Sequence, residues 1–355
     1  MRKVYAPHVR ARWGAVLLLV AHGIVMSSAW AGGDDRLLDG FETLGDWTAD
    51  ASDGVKASAV SAEGLRGRAL RLDFDLGKSA GYAFVRRDLP LDLPENFELS
   101  FLLRAKAPIN NFEVKLTDAS GENVWWFERK DFEFPSEWRR IKIKKRQIAF
   151  AWGPTEDRSL KRIHSLGFVV GAGRGGGNGS IEIDDLRFRE LPPPPTHFPP
   201  LRATASSSLS GAEASAAVDG NPRTSWRSDP KAGATQSVNV DLGMLREFGG
   251  IELHWQDGAR PRRYDVETSS DGVACQVLRR VTNGDGPKDA LLLPDEEARF
   301  IRVNLPEAAG AGYSLAEFVV KDLPYGASPN AFFQALAKDA PRGLYPRGFS
   351  EEQPY

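Results

Sequence analysis

Residues 216–226 read A-A-V-D-G-N-P-R-T-S-W and combine turn-forming residues, oxygen donors and a terminal aromatic residue. Asp219-Gly220 and Asn221-Pro222 are both strong turn dipeptides, because glycine accepts a positive φ and proline fixes its own φ. The pattern therefore predicts a tight loop. In such a loop the Asp219 carboxylate, the Thr224 hydroxyl and inward-facing carbonyl oxygens could together bind a hard cation such as calcium. The alternative is a plain surface turn closed by an Asx hydrogen bond.

Five motifs follow this stretch in order. They are V-N-V-D-L-G at 238–243, I-E-L-H-W at 251–255, Y-D-V-E-T-S-S-D-G at 264–272, R-F-I-R-V at 299–303 and Y-S-L-A-E-F-V-V at 313–320. Taken in this order, they resemble the discoidin fold of F5/8 type C domains (coagulation factor 5/8 type C) and of bacterial family 32 carbohydrate-binding modules. The resemblance covers residues 201–322. Ser237 and Cys275 stand where the family often has tryptophan, so the match is to the scaffold more than to one ligand.

A calcium site is the first feature that this resemblance implies. In the family, a glutamate of the final strand reaches the loop after the first strands and helps to bind the ion. By resemblance, the ligands here are Asp219, Asn221 through its backbone, Thr224 and Glu317. Such a site would be structural, because it ties the two ends of the domain together.

A ligand-binding loop is the second implied feature, since the family takes up ligands in loops at the other end of the sandwich. Five residues lie on or beside such a loop and are candidate contacts to a glycan, including an acidic one: His254, Trp255, Arg260, Arg262 and Arg263. The alternative is that Trp255 belongs to the core and the arginines form a solvated turn.

Residues 36–190 show the period-two alternation of short strands, with about eight such runs and no helical pattern. A β-sandwich is the expected solution. Near the end, Ile181 and Ile183 have one phase whereas Leu186 and Phe188 have the other. A one-residue slip exchanges the two faces of a strand, so the pattern predicts a β-bulge at Asp184-Asp185.

The two ends of this region carry a second resemblance. L-L-D-G-F-E at 37–42 and I-E-I-D-D-L-R-F at 181–188 resemble the first and last strands of galactose-binding-like jelly rolls such as family 11 carbohydrate-binding modules. Those ends pair in the family and often hold a structural calcium ion. The resemblance implies carboxylate ligands from Glu42 and from Asp184 or Asp185. The alternative is two solvated acidic positions at strand ends.

Sugar recognition requires flat aromatic rings with planar hydrogen-bonding groups around them. The first domain offers a set of such residues: Tyr82, Arg86, Trp125, Trp126, Phe127, Arg129, Trp138 and Trp152. We take Tyr82, Arg86, Trp125, Trp126 and Trp138 as its candidate contacts. Period two sends one ring of Trp125-Trp126 inward and the other outward, although the phase stays open.

The remaining segments set the domain plan. Residues 1–31 have basic residues, an apolar run and a small-residue end at Ala29-Trp30-Ala31, which predicts a signal peptide cleaved after Ala31 and a secreted or periplasmic protein without a membrane span. Residues 191–200 form a proline-rich linker. Residues 323–355 are a tail in which Ser328-Pro329 predicts the start of a helix that ends before Pro341. This tail resembles the lead-in to a six-hairpin type glycosidase domain.

Composition narrows the function. The 46 basic and 48 acidic residues give a formal charge of −2, so no global field favours nucleic acid. The single cysteine excludes an intramolecular disulfide. The chain contains no metal-hydrolase histidine spacing and no nucleophile elbow. We therefore expect an all-β, monomeric, non-catalytic protein with two tandem sandwiches that bind polysaccharide or glycoconjugate. The alternatives are the binding half of a glycoside hydrolase truncated after Tyr355 and a cell-surface adhesion module.

Overall fold

The structure is a computed structural model that describes residues 35–78, 80–284, 286–310 and 312–339. Within these ranges the chain is mostly β, with strands in three sheets and one short α-helix. It divides into two compact units between Pro194 and Pro195, a point inside the proline-rich segment. The expected signal peptide and the end of the tail lie outside the described residues. No described helix is long and apolar enough to cross a membrane.

The first unit contains twelve described strands rather than about eight. They are β1 Arg36–Asp39, β2 Thr48–Ala51, β3 Lys56–Glu63, β4 Arg68–Asp75, β5 Tyr82–Asp92, β6 Phe97–Lys106, β7 Asn110–Thr117, β8 Val124–Phe132, β9 Arg139–Lys144, β10 Ala149–Trp152, β11 Arg162–Gly171 and β12 Asn178–Glu190. The difference arises because short edge strands such as β1, β2 and β10 are only four residues long and carry little periodic signal.

Two six-stranded sheets form the sandwich of this unit. The first sheet has the order β3-β4-β12-β6-β9 with β1 beside β12, and the second has the order β10-β8-β7-β11-β5-β2. Phe101 of the first sheet packs against Phe112 and Phe168 of the second, with ring centroids 6.1 and 5.0 Å away. All three rings are fully buried, so the alternating apolar residues form the core between the layers. The predicted β-sandwich is confirmed.

The predicted bulge lies in β12. Its register against β6 shifts between Asp184 and Arg187, and Asp185 has a φ of 51°. Ile183 before the bulge and Leu186 after it are both buried. Because the bulge adds one residue, the side chain of Leu186 points into the core as that of Ile183 does.

The second unit contains β13 Arg202–Ala205, β14 Trp226–Arg227, β15 Gln236–Trp255, β16 Pro261–Ser269, β17 Gln276–Val281, β18 Lys288–Ala308 and β19 Ser314–Lys321. Their order is β14-β19-β15-β18-β16-β17, with β13 beside β15. The strands expected at 238–242 and 251–255 are two halves of β15. Register shifts after Asp241 and Phe248 interrupt it, so the first half pairs with β13 and the second with β19.

The tail begins with a 3₁₀ turn at Leu323–Gly326 and continues as helix α1, Pro329–Asp339. The Ser328 hydroxyl accepts a hydrogen bond of 3.0 Å from the Ala331 amide, as expected of an N-cap. Phe332 packs edge-on against Tyr325, with ring centroids 5.2 Å apart. The predicted helix is confirmed.

Candidate functional site

The outer side of the second sheet of the first unit brings together residues that are far apart in the sequence. Trp126 of β8 lies opposite Lys115 of β7, Lys115 opposite Gly167 of β11, and Gly167 opposite Arg86 of β5. These four residues therefore form one row across four strands. Trp126 is half-buried, while Trp125 beside it is only 5% exposed, which confirms that one ring of the pair faces inward and the other outward.

Two further aromatic rings extend this row. Trp152 of β10 is 45% exposed and meets Trp126 edge-on, with ring centroids 5.3 Å apart. Tyr82 of β5 is 43% exposed. The Lys115 ammonium lies 4.7 Å from the Trp152 ring centroid and 6.0 Å from that of Tyr82. We call this surface, made of Tyr82, Trp126 and Trp152 with Arg86 and Lys115, the aromatic face.

Gly167 and Gly171 of β11 carry no side chain and lie on the aromatic face with the buried Val169 between them; we call this strip of three small residues the furrow. A Cβ atom at Gly167 would lie 3.2 Å from the Arg86 Cβ, so a larger residue would crowd the neighbouring strand. Glu113 lies opposite Glu128 beside the furrow. Burial and then the Glu128 charge raise the pKa of Glu113, although Lys115 acts in the other direction. The furrow thus combines rings with partly desolvated polar groups, as a sugar site requires.

The structure does not place all the expected sugar contacts on this face. Trp125 is a core residue whose indole N–H donates to the Arg158 carbonyl over 2.8 Å, so it presents no ring to a ligand. Trp138 directly precedes β9 of the other sheet, and the Arg104 guanidinium of β6 lies 4.6 Å from its ring centroid. Tyr82, Arg86 and Trp126 do lie together. Lys115, Glu113 and the two glycines were not anticipated, because only the cross-strand register unites them.

The carboxylates of Glu42 and Asp184 both lie against the turn between β3 and β4. The Glu42 carboxylate accepts from the Arg68 amide over 3.2 Å, and Asp184 accepts from the Leu65 amide over 3.1 Å. Burial raises the pKa of Asp184, and the nearby charges of Asp185 and Glu42 add to this effect against backbone hydrogen bonds that lower it. Gly64 lies so close that a Cβ atom there would be 2.8 Å from Asp184 Oδ2. Two carboxylates thus converge on one glycine-lined loop.

The Asp185 carboxylate points away from Glu42, so Asp184 is the aspartate that lies near Glu42. Its carboxylate accepts hydrogen bonds from Arg140 and Arg187. Although burial alone would raise the pKa of Asp185, these two guanidinium groups hold it below the ordinary value. Asp185 is therefore an ion-pair residue of the bulge and not a partner of Glu42.

The loop at 216–226 brings several oxygens together. The Thr224 hydroxyl lies 2.8 Å from Asp219 Oδ2, 3.0 Å from Oδ1 and 2.8 Å from the Asn221 carbonyl, so one proton faces three acceptors. Glu317 accepts from the Gly220 amide at 3.4 Å through one oxygen, while its other oxygen is buried without a partner. Burial and the Asp219 charge raise the pKa of Glu317 against that amide hydrogen bond.

The donor set of this loop fits calcium better than a transition metal. It consists of carboxylate, hydroxyl and carbonyl oxygens, which are the ligands that a hard cation prefers. Among the residues that the structure describes, no group of three or more histidine, cysteine, aspartate or glutamate side chains could hold a metal ion. A cation at 216–226 would thus depend on the hydroxyl and carbonyl oxygens as well as on Asp219 and Glu317.

The five candidate glycan contacts at 254–263 do not form one site in the structure. We call residues 260–263 the arginine loop. Trp255 is 4% exposed, and its N–H donates to Asp289 over 2.9 Å, so it is a core residue and not a sugar contact. His254 lies opposite Glu317 in the β15–β19 ladder, away from the predicted ligand loop. Arg262 and Arg263 are exposed near Glu307. Arg260 has a buried Nε without a hydrogen-bond partner.

Two charged residues on β15 went unnoticed in the sequence. Glu252 is 3% exposed and lies 3.1 Å from Lys288 Nζ and 3.2 Å from Lys321 Nζ. Burial would raise the pKa of Glu252, but the hydrogen bonds from the two lysines lower it. Arg246 has a buried Nε with no hydrogen-bond partner. Glu252 lies within the I-E-L-H-W motif, but its burial has no local signal because its partners come from β18 and β19, and the surroundings of Arg246 include Phe198, before β13.

A comparison with known protein families identifies the second unit. The family model of the F5/8 type C domain matches residues 202–318. Residues 202–318 form an F5/8 type C domain. Cys275 is half-buried in this domain. No curated protein matches the chain.

Similar solved structures are carbohydrate-binding modules. Chitosan-binding module 1 from a chitosanase/glucanase of Paenibacillus sp. IK-5 shares 32% identity over 34% of this chain and 94% of its own, with a TM-score of 0.33. The family 11 module of a cellulosomal cellulase of Clostridium thermocellum shares 20% identity over 46% and 98%, with a TM-score of 0.38. The family 32 module of C. perfringens NanJ, in complex with galactose, shares 22% identity over 35% and 96%, with a TM-score of 0.33.

Proposed function

We propose that the chain is an exported, non-catalytic carbohydrate-binding protein that takes up polysaccharide or glycoconjugate on the aromatic face of its first unit. The observation that carries this proposal is the grouping of Tyr82, Trp126 and Trp152, with Arg86 and Lys115, on one face of adjacent strands. A contiguous group of exposed rings rimmed by polar residues marks an interaction site, whereas single exposed rings do not. The F5/8 type C domain supports glycan binding by the second unit as well.

The chemistry of the aromatic face suits a pyranose chain. The apolar side of a sugar ring packs on an indole or phenol ring, while its hydroxyl groups need planar donors and acceptors at the edge. Arg86 and Lys115 supply donors, and Glu113 and Glu128 supply acceptors, all within one patch of adjacent strands. The rings of Tyr82, Trp126 and Trp152 lie on three different strands, β5, β8 and β10, and this spread favours a chain of several sugars over a single sugar.

In the F5/8 type C domain, we propose the arginine loop as a second glycan contact. Arg260 supplies a buried guanidinium Nε that lacks an acceptor, while Arg262 and Arg263 are exposed beside it in sequence. Guanidinium groups bind carboxylate and hydroxyl oxygens in a planar, directional way. This second contact is accordingly suited to an acidic glycan.

We also propose one structural calcium ion in each unit. In the second unit Asp219, Asn221 through its carbonyl, Thr224 and Glu317 would hold it, and the unpartnered buried oxygen of Glu317 supports this assignment. In the first unit Glu42 and Asp184 would hold it, while Asp185 would not. A bound ion would neutralise carboxylates that otherwise repel each other.

A glycan array probed with the mature chain tests the proposed function, provided that hydrolysis of every bound glycan is assayed in parallel. We expect binding to one class of polysaccharide and no release of reducing ends. Turnover that is lost when Glu113 or Glu128 is changed to glutamine would instead show an enzyme. A chain that binds no glycan but binds cell-surface protein would favour adhesion.

A further inference from the structure

The F5/8 type C unit contains a groove of about 560 Å³ that begins beside the proposed calcium loop, with Glu317 common to both, and extends along β19 to Pro199 and Arg246. Four consecutive residues of β19, at 317–320, line one side of it, and Pro199, Pro200 and Leu201 line the other. Successive side chains of a strand point to opposite faces. A groove lined by four residues in a row therefore runs along the edge of the strand, not across one face of the sheet.

This edge of β19 has no partner strand beyond Leu315, although the Gly220 amide of the proposed calcium loop lies 3.4 Å from the Glu317 carboxylate. On the groove side β14 pairs with β19 only at Leu315 and Ser314, whereas β15 pairs with the opposite edge as far as Lys321. Within the described ranges, no backbone hydrogen bond reaches residues 316–321 from the groove side. An unpaired strand edge presents amide and carbonyl groups that an extended chain can pair with.

The groove also collects buried polar atoms that lack a hydrogen-bond partner. They are Arg246 Nε, His254 Nε2 and Glu317 Oε2, and all three residues line the groove. His254 Nε2 lies 3.6 Å from Glu252 Oε2, and Glu317 Oε2 is the oxygen assigned above to calcium, so Arg246 Nε is the buried polar atom that requires a further ligand.

Arg246 indicates that the ligand carries a negative charge. Its guanidinium carbon lies 3.8 Å from the centroid of the Phe198 ring, a contact that holds the planar group in place. Burial lowers the pKa of Arg246, although Asp322 acts in the other direction. A guanidinium group has five donors and no acceptor, so a desolvated one is best satisfied by an anionic group.

We propose that this groove binds an extended peptide segment, which adds a strand to the open edge of β19 and places an acidic side chain on Arg246. Two observations favour a peptide over a sugar. The wall opposite β19 consists of proline and leucine, which offer no ring platform, and Arg246 already covers the Phe198 ring. Backbone groups of β19 supply the regularly spaced donors and acceptors that a peptide main chain matches.

Three fluorescein-labelled heptapeptides of alternating valine and threonine, with glutamate, glutamine or lysine at the centre, test this proposal. Anisotropy with the full chain measures their affinities, and hydrogen exchange read by mass spectrometry locates the site. We expect the glutamate peptide to bind about tenfold tighter than the glutamine peptide, as a charge-assisted contact predicts, and the lysine peptide more weakly than both. Binding should protect the amides of residues 316–321.

The controls separate strand addition from unspecific binding. Arg246→Gln should remove the preference for glutamate, whereas Arg280→Gln, a change of an exposed arginine on β17, should keep it. N-methylation of alternate peptide amides should abolish binding even to the unaltered chain. Titrations run with calcium and with chelator keep this result apart from the proposed ion at Glu317.

Three results would overturn the proposal. They are no binding by any of the three peptides at millimolar concentration, equal affinities of the glutamate and glutamine peptides, and protection of residues 316–321 by chitotriose or galactose instead of by peptide. Failure of glycan binding on the aromatic face would leave the peptide result unaffected, because the two sites share no residue.

Discussion

Gly67 shows how one residue supports a candidate cation site. It has a φ of +67°, and a Cβ atom there would lie 2.8 Å from the Glu42 Cδ. Gly54 has a similar φ of +78° but no atom within 4 Å of such a Cβ. Gly54→Ala should therefore cost about 1 kcal/mol of unfolding free energy from backbone strain alone, and Gly67→Ala should cost more because it also displaces Glu42.

Urea denaturation of the two variants measures this difference. If Gly67→Ala and Gly54→Ala shifted the midpoint equally, Glu42 would move aside freely and the loop would not be built around its carboxylate. The same Gly67→Ala variant should lose any stabilisation that calcium gives to the first unit.

Single residues also show where prediction from the sequence stops. Alternation at Trp125-Trp126 implies that one ring is buried, but the phase depends on neighbours such as Leu116, which lies opposite Trp125 on β7. Trp255 looks like a ligand-loop residue in the sequence, whereas Asp289, 34 residues later, satisfies its N–H in the core. A partner so distant leaves no local signal.

Among the elements, β12 was the most predictable, because a change of hydrophobic phase within one strand demands a bulge. The role of Asp185 in that bulge was not predictable, since Arg140 comes from another strand. Likewise, the continuity of β15 was missed because Gly243 and Gly249-Gly250 look like breaks. In the structure these positions lie where β15 changes register.

The Asp185 bulge yields a prediction with a defined pH dependence. Because the folded-state pKa of Asp185 lies below its ordinary value, its contribution to stability is present above about pH 4 and is lost as the pH falls through the folded pKa. Asp185→Asn keeps a residue that tolerates positive φ but removes the charge. We expect it to lower the unfolding free energy by about 1 kcal/mol at pH 7.

Thermal or urea unfolding as a function of pH checks this expectation. The gap between the native chain and Asp185→Asn should close as the pH falls to about 2. A gap that stayed constant over this range would mean that the arginine contacts contribute nothing through charge. Arg162→Gln, which removes an exposed ion pair with Asp92, serves as the control with little effect.

For the molecule as a whole, calcium should raise stability in a pH-dependent way. The pKa of Glu317 is raised above its ordinary 4.5, so the metal-free fold loses stability as the pH rises from about 4 through the raised pKa. Calcium binds the charged form and reverses this loss. At a hundredfold excess over Kd, one ion adds about 2.7 kcal/mol.

Melting curves at pH 7 with calcium and with chelator measure this effect. Asp219→Ala should remove the response of the second unit, whereas Cys275→Ser should leave it intact. The difference between calcium and chelator should shrink near pH 4. An identical midpoint in chelator and in millimolar calcium would show that residues 216–226 form an ordinary turn.

The domain plan of the whole chain was more accessible from the sequence than its binding surfaces. The order of motifs from Asp219 to Glu317 identified the F5/8 type C scaffold, because turn residues and strand phases are local properties. The aromatic face, by contrast, depends on the register of five strands, which is not a local property. The sequence shows which aromatic and charged residues are available in the first unit, but not which of them lie together.

Isothermal titration of the best polysaccharide from the array into Trp152→Ala and into Trp138→Ala tests the central claim most directly. Both changes remove one tryptophan from the first unit, but Trp152 belongs to the aromatic face, whereas Trp138 packs against Arg104 of the opposite sheet. We expect Trp152→Ala to weaken binding by about tenfold or more, as loss of a stacking ring predicts, and Trp138→Ala to bind normally. Equal affinities of the two variants, or a loss confined to Trp138→Ala, would contradict binding on the aromatic face.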